Sequence, residues 1–276
     1  MAPPRIYPGD DPLNARLRIR AEKAVKRIKD RRRSKVTAPA DGTINRTAPE
    51  GTPGTVFTST VQDPVPGKPV LMTGANAAKI GGQVMVGRLR GASIWTLALE
   101  ERRTCPETCL HFLTCYGNNM GRARRWRHGQ ALEAAIRLQV ASEVKNGPML
   151  VRLHMLGDFY SLDYLRLWVE LVDTYPDLYL FGFTAWGRGT PIGDAVHRVR
   201  EAIPDQFAIR TSGQTGKWGS WTLDWPTEKR FVHINGERAV VCPEQLDANA
   251  GGGKKKHCAN CAACWQSTEA IAFIEH

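Results

Sequence analysis

The sequence predicts an α/β fold built around a parallel sheet, and three observations lead to this prediction. Apolar, β-rich runs alternate with amphipathic segments at helical spacing over much of the chain. Single helices between consecutive strands are typical of parallel βαβ units. A basic stretch precedes this region and a group of cysteines follows it. We therefore expect a partial or complete (βα) barrel-like parallel sheet, with a basic, partly disordered N-terminal arm and a small cysteine-rich C-terminal segment.

Four strands and three helices make up the predicted core. The helices place Leu, Ile and Val on one face, and Ser161 and Thr190 are suitable N-cap residues for two of them. Gly147-Pro148 is a stop signal for the first helix. In chain order the predicted elements are a strand at 94–99, a helix at 122–145, a strand at 149–156, a helix after Ser161, a strand at 178–184, a helix after Thr190 and a strand at 207–210.

Polar residues and cysteines follow each predicted strand. Ligands collect at the carboxyl ends of parallel strands, because the βα loops converge there. We therefore predict that Gly157, Asp158, Thr184 and Arg210 bind a cofactor. Asp158 is also the candidate catalytic residue, as a general base or a glycosyl-transfer nucleophile, although an Asp at a strand end can equally cap a loop.

The seven cysteines form a group of three and a group of four. An odd number and a polar, Pro-rich N-terminus argue against a secreted disulfide framework and favour reduced cytoplasmic thiols. Four thiolates can close the coordination of zinc or of an iron–sulfur cluster, whereas three leave one position of a four-iron cluster free. The predicted metal ligands are Cys105, Cys109 and Cys115 for an open site, and Cys242, Cys258, Cys261 and Cys264 for a closed one.

Charge and composition divide the 276 residues into three parts. Residues 1–69 form a basic, Pro- and Gly-rich arm and linker, residues 70–240 the core, and residues 241–276 the four-cysteine segment. The net charge is +11, and a basic run at 16–35 supplies most of it. Such a run can bind the phosphates of nucleic acid, or it can be a solvated tail. Further positive charge for such a partner is predicted just beyond the first cysteine group, at Arg122, Arg124, Arg125 and Arg127. No apolar stretch approaches the length of a membrane span.

The order of strand, three-cysteine loop, helix, strand and Gly157-Asp158 turn resembles the first half of the radical S-adenosylmethionine enzymes. The resemblance implies that Cys105, Cys109 and Cys115 ligate a four-iron, four-sulfur (4Fe-4S) cluster whose free iron is chelated by S-adenosylmethionine. It also implies that the turn contacts the amino group of that cofactor. The second gap between cysteines is longer here than in that superfamily, and Asp158 replaces its glutamate.

A second resemblance, over roughly residues 70–265, is to the bacteriophage gene product eighty-eight family. It implies a phage or prophage origin and location in the host cytoplasm, but no established reaction. The motifs that carry it are Gly74–Lys79, Leu97–Leu99, Thr104–Pro106, Cys115-Tyr116, Gly157–Phe159, Phe183-Thr184, Cys242–Gln245 and Cys261–Trp265.

Two main function classes follow from these patterns. The first is an iron–sulfur enzyme that uses S-adenosylmethionine on a nucleotide or nucleic acid. The second is a nucleic-acid-binding protein with structural zinc and no catalysis, in which His111 or His128 can complete the first site. A base-modifying transglycosylase with Asp158 as its acid is a further alternative. The tryptophans at 218, 221 and 225 are candidates for base stacking or for loop packing. The substrate and the oligomeric state stay open.

Overall fold

The computed structural model describes residues 47–225, 227–249 and 256–274. The predicted basic run at 16–35 lies outside the described residues. The strands are β1 (Val61–Gln62), β2 (Met72–Thr73), β3 (Ser93–Ala98), β4 (Arg125–Trp126), β5 (Met149–Leu156), β6 (Leu178–Thr184), β7 (Phe207–Ser212), β8 (Gly219–Leu223), β9 (Phe231–Ile234), β10 (Glu237–Val241) and β11 (Ala270–Ile274). The α-helices are α1 (Gln130–Glu143), α2 (Leu162–Thr174), α3 (Pro191–Ala202), α4 (Pro243–Asn249), α5 (Cys258–Cys261) and α6 (Ala263–Gln266).

Nine of these strands form one sheet in the order β2-β3-β5-β6-β7-β8-β11-β10-β9. All neighbours from β3 to β10 run parallel, and antiparallel strands β2 and β9 lie at the two edges. The predicted mixed α/β fold with a large, mostly parallel sheet is therefore confirmed. No ladder joins β2 to β9 in the part of the chain that the structure describes, so the sheet is open and barrel closure is not shown.

The first predicted helix begins later than expected, at Gln130 rather than Arg122. The residues before it form the short strand β4, because Arg125 and Trp126 are buried in long-range contacts. The Trp126 indole N–H donates to the Val70 carbonyl oxygen at 2.7 Å. Tertiary burial therefore overrides the helical pattern over this segment.

Helices α1, α2 and α3 cover one face of the sheet, as the sequence pattern predicts. The Ser161 hydroxyl accepts from the Tyr164 N–H at 3.1 Å, and the Thr190 hydroxyl accepts from the Gly193 N–H at 3.1 Å, so both predicted N-caps are present. Trp168 of α2 is fully buried against this face. None of the helices in the described ranges is long and apolar enough to cross a membrane.

The opposite face is covered by residues 74–92 and by the cysteine-rich segment, residues 256–266. Leu150, Phe181 and Ala208 of the strands pack there with Ala259 and Trp265 of that segment. The chain then returns to the sheet as β11, between β8 and β10. Residues on both sides of the predicted division at residue 240 therefore contribute to one sheet.

Candidate metal centre

The three-cysteine loop, residues 99–124, leaves the carboxyl end of β3 and is fastened to the end of β5. The Leu99 N–H donates to the Leu156 carbonyl at 2.9 Å, and the Asp158 N–H donates to the Thr104 hydroxyl at 3.1 Å. Gly157 has a φ of 80°, and a Cβ there would lie 2.5 Å from the Thr104 hydroxyl oxygen. Only glycine fits this turn without displacing the loop.

A buried ion pair anchors the base of the loop. Glu101 and Arg125 have no exposed surface, and Arg125 Nε lies 2.6 Å from Glu101 Oε2. Arg125 Nη2 donates to Glu101 Oε1 at 3.0 Å, and the Thr55 hydroxyl donates to the same oxygen at 2.7 Å. Such a bidentate pair fixes the direction of a loop, because moving either residue would leave a buried charge without its partner, which is strongly destabilising.

Arg102 brings a second buried cation beside the thiols. Its side chain is almost wholly enclosed; Nε donates to the Gly54 carbonyl at 2.7 Å and Nη1 to the Phe112 carbonyl at 3.2 Å. Nη2 is buried and has no hydrogen-bond acceptor among the described residues, the Glu101 carboxylate being 3.8 Å away. Arg102 also interacts electrostatically with the thiols of Cys105 and Cys115. Arg102 Nη2 can therefore donate a hydrogen bond to an anionic group that binds beside these thiols.

The three thiols of the loop lie close enough to influence one another. Burial is the main cause that raises the pKa of Cys105, and the negative charge of Asp158 and the neighbouring thiols raise it further. Burial likewise raises the pKa of Cys109 to about 11 and that of Cys115 above its ordinary value. The metal-free loop therefore holds protonated thiols at neutral pH, and a bound metal would displace those protons.

No three His, Cys, Asp or Glu side chains in the described ranges already stand in an arrangement that could hold a metal ion. The thiols of Cys105, Cys109 and Cys115 thus lie near one another, but their side chains are not oriented to coordinate a metal ion. His111 contacts the Thr114 hydroxyl at 3.4 Å within the loop, whereas His128 packs on the Tyr160 ring.

Asp158, the candidate catalytic residue, connects the ends of β5 and β6. Its Oδ1 accepts from the Phe159 N–H at 2.7 Å and from the Thr184 hydroxyl at 2.8 Å, and its Oδ2 accepts from the Ala185 N–H at 2.7 Å. Burial raises its pKa to about 7 against the effect of these hydrogen bonds. The Asp158 carboxylate accepts three hydrogen bonds, one of them from the Thr184 hydroxyl. Asp158 and Thr184 therefore hold the carboxyl ends of β5 and β6 together.

Arg210, predicted as a cofactor ligand, is fully buried on the face opposite the helices. Its hydrogen-bond acceptors among the described residues are backbone carbonyls. Nη1 lies 2.6 Å from the Glu269 carbonyl oxygen, and Nε lies 3.1 Å from that of Cys264. The carbonyls of Gly219, Ala263 and Ser267 accept from the same guanidinium. Arg210 therefore fastens the cysteine-rich segment to the sheet.

The four remaining cysteines meet on that face. Cys264 interacts electrostatically with Cys242, Cys258 and Cys261, and burial is the main cause that raises its pKa. The Cys242 N–H donates to the Ala272 carbonyl at 2.8 Å, and the Cys258 N–H donates to the Lys79 carbonyl at 2.9 Å. The backbone around this group is therefore held by two parts of the core that are distant in sequence.

Sequence reasoning missed the buried Glu101 and Arg102 near the thiols, and it wrongly grouped Arg125 with the basic residues for a polyanion, because Arg125 is fully buried and paired with Glu101. Glu101, Arg102 and Arg125 surround the base of the loop, and Arg152 of β5 interacts electrostatically with Cys258. The run of four charged residues at 100–103, directly after a buried strand, was the available signal, because such a run is rarely buried unless it is paired. Trp218, a candidate for base stacking, is 4 % exposed and packs in the core, whereas Trp225 is exposed.

These features define an α/β protein with a large, mostly parallel sheet that brings two groups of half-buried cysteines to its carboxyl rim and to one face. Residues 70–267 match the sequence profile of the gene product 88 family, and the chain belongs to that family. The matched range includes both cysteine groups, and the phage family predicted from the motifs is thereby confirmed. No curated protein and no solved structure is detectably similar to the chain.

Proposed function

We propose that this protein is an iron–sulfur enzyme of the radical S-adenosylmethionine type that acts on a nucleotide or nucleic acid. The observation that carries the proposal is the gathering of Cys105, Cys109 and Cys115 at the carboxyl rim of a parallel sheet, beside the uncommitted donor of Arg102. Three protein thiolates leave one iron of a four-iron cluster open to a ligand.

The residues present fit such a cluster in their chemistry. Thiolates are soft ligands that suit iron and zinc alike, and a buried guanidinium donor stabilises the negative charge of sulfur ligands. The Arg102 Nη2 donor, which has no acceptor among the described residues, supplies that contact. When bound, a four-iron cluster with an open iron supplies one-electron reduction of the cofactor that it holds.

The chain's own groups then have separate tasks. The Glu101–Arg125 pair fixes the base of the loop, and Arg102 places a positive charge against the thiolates. Asp158 holds the ends of β5 and β6 together, so that the rim keeps its shape while the loop binds its ligand. The group of Cys242, Cys258, Cys261 and Cys264 serves as a closed structural centre. Reduced thiols of this kind persist in the cytoplasm of a host cell, where we place the protein.

Anaerobic purification followed by iron, zinc and sulfide analysis tests the proposal. We expect iron and acid-labile sulfide in the wild-type protein, and a change in the electron paramagnetic resonance spectrum of the reduced protein when S-adenosylmethionine is added. The variant Cys109→Ala should lose that response, while Cys261→Ser, in the other group, keeps it in the protein that remains folded. Stoichiometric zinc without sulfide would instead identify a zinc protein without this chemistry.

A further inference from the structure

A cavity of about 410 Å³ lies between the end of α3 and the turn that follows it, Lys217 and Trp218 before β8, and residues 265–268 after the last cysteine. None of the seven cysteines lines it, so it is separate from both thiol groups. Its volume is within the range of sites for small ligands. Its wall includes three basic residues, Arg88, Arg200 and Lys217, two acidic residues, Glu201 and Asp205, and the indoles of Trp218 and Trp265.

Arg200 of the cavity wall lies where β7 lacks a neighbouring strand over part of its length. In the described residues, β8 pairs with β7 only at Thr211 and Ser212. The side chain of Arg200 fills part of the gap, since its Nη1 donates to the Ile209 carbonyl at 2.7 Å. Trp218 packs beside it, with the guanidinium carbon of Arg200 5.8 Å from the centre of the indole ring.

Two buried donors in the wall lack acceptors. Arg200 is 5 % exposed and Trp265 is 3 % exposed, yet Arg200 Nε and Trp265 Nε1 have no hydrogen-bond partner within the described ranges. A buried donor without a partner is costly, and such groups in native proteins call for an explanation by a ligand, an ion or water. Both groups donate and neither accepts, so the missing partner must carry hydrogen-bond acceptors.

The charges of the lining side chains indicate which kind of hydrogen-bond acceptor the cavity favours. Arg88 is paired with Asp205 at 3.3 Å, and Glu201 contributes one carboxylate. Arg200 and the exposed Lys217 supply two further positive charges at the same cavity. A phosphate group matches this set, because it offers several acceptor oxygens together with negative charge.

We propose that this cavity binds a small ligand through a phosphate group, which accepts from Arg200, Trp265 and Lys217. The ligand is either inorganic phosphate or a nucleoside monophosphate, since the remaining volume accommodates a nucleoside. None of the cysteines proposed as metal ligands lines this site, so its test does not depend on the iron–sulfur proposal.

Calorimetric titration of the full-length protein with inorganic phosphate, adenosine 5′-monophosphate and adenosine tests this site. We expect saturable binding of the two phosphate-bearing probes. Tighter binding of the monophosphate identifies a nucleotide site, and equal binding identifies a phosphate site. Binding of adenosine as tight as that of its monophosphate overturns the proposal, as does absence of saturable binding by both phosphate-bearing probes at millimolar concentration.

Two variants and one control separate the site from general charge effects. Trp265→Phe removes the indole donor and should weaken binding about tenfold, while Lys217→Ala should weaken it about fivefold. Lys145→Ala, an exposed lysine just beyond α1, is matched in charge and should leave binding unchanged. If Trp265→Phe fails to fold, Lys217→Ala decides alone, because its side chain is exposed. Equal affinity of Lys217→Ala and wild type overturns the proposal, and so does an equal loss in Lys145→Ala.

Discussion

The two cysteine groups differ in how the fold holds them. The four-cysteine group lies within a layer of the core, where Arg210 donates to five backbone carbonyls and Ala259 and Trp265 pack on the sheet. The three-cysteine loop is anchored at its base by the Glu101–Arg125 pair, whereas Leu110 near its tip is 70 % exposed. All seven cysteines are half-buried, so the two groups differ in how tightly the surrounding chain is held and not in the exposure of their thiols. This difference favours a structural role for the first group and a ligand-binding role for the second.

The largest expected effect comes from breaking the anchor of the three-cysteine loop. Arg125→Met leaves the Glu101 carboxylate buried without its partner and should lower the free energy of unfolding by about 3–5 kcal/mol. The double variant Arg125→Met/Glu101→Gln removes both charges and should recover a large part of that loss. Urea unfolding of the three proteins measures this. A double variant no more stable than Arg125→Met alone would show that the hydrogen bonds of Arg125, and not the buried charge, anchor the loop.

The next effect compares the cysteine groups directly. Cys261→Ser should release metal from the closed centre and lower stability by about 3 kcal/mol, or Tm by about 10 °C, because metal binding there contributes to folding. Cys109→Ser in the presented loop should release metal with a change in Tm of only a few degrees. Metal content and thermal unfolding of matched preparations test the contrast. Equal shifts in Tm for the two variants would contradict the assignment of one structural and one ligand-binding group.

The sequence predicted the centre of the sheet and missed its second half. Runs of apolar residues identified β3, β5, β6 and β7, and α1 to α3 followed from helical spacing. The strands from β8 to β11 are shorter, and the insertion of β11 between β8 and β10 depends on long-range pairing that local patterns do not contain. One signal was available, since Asn235-Gly236 joins β9 to β10 with φ values of 52° and 82°, and Asn-Gly is a common hairpin turn.

The candidate site was predictable in its position and not in its contacts. The convergence of cysteines and Asp158 follows from the alternation of strands and helices. The partners of Asp158 and Arg210 could not be predicted, because Thr184 and the carbonyls of residues 263–269 come close only in the folded chain. The pairing of Glu101 with Arg125 likewise needs a turn of the loop that no local rule specifies.

A further effect, which is absent at neutral pH and grows as the pH falls, concerns a buried histidine of β5. His154 is buried against Tyr164, and burial lowers its pKa to about 3. Above about pH 6.5, His154 is neutral in both the native and the unfolded protein, so it adds no pH dependence to the free energy of unfolding. Below that pH the unfolded chain binds a proton that the native chain does not, so stability falls by about 1.4 kcal/mol per pH unit until about pH 3.

The variant His154→Gln isolates this contribution. Its stability relative to wild type should rise as the pH falls below about 6.5 and should be constant above it. His233→Gln, which alters an exposed histidine of β9, is the matched control and should run parallel to wild type. Urea unfolding between pH 4 and pH 8 gives the three curves. Parallel curves for His154→Gln and wild type would mean that His154 has the same pKa in the native and unfolded protein.

We expect the smallest effect on the fold from deleting residues 1–36. This deletion also tests most directly whether the proposed partner is a nucleic acid. This deletion removes the basic run and none of the residues that the structure describes, so metal content and Tm should stay unchanged. Binding to duplex or single-stranded nucleic acid should weaken, because lysine and arginine release condensed counterions from phosphates, with a salt slope of about −0.9 per neutralised duplex phosphate. Exposed Arg122, Arg124 and Arg127 beside the three-cysteine loop supply further positive charge, so some binding and a shallower salt dependence should remain. Fluorescence anisotropy over a range of salt concentrations measures both slopes. Equal binding by the truncated and full-length proteins would show that the arm is a solvated tail, and would move the search for a substrate to small molecules at the rim.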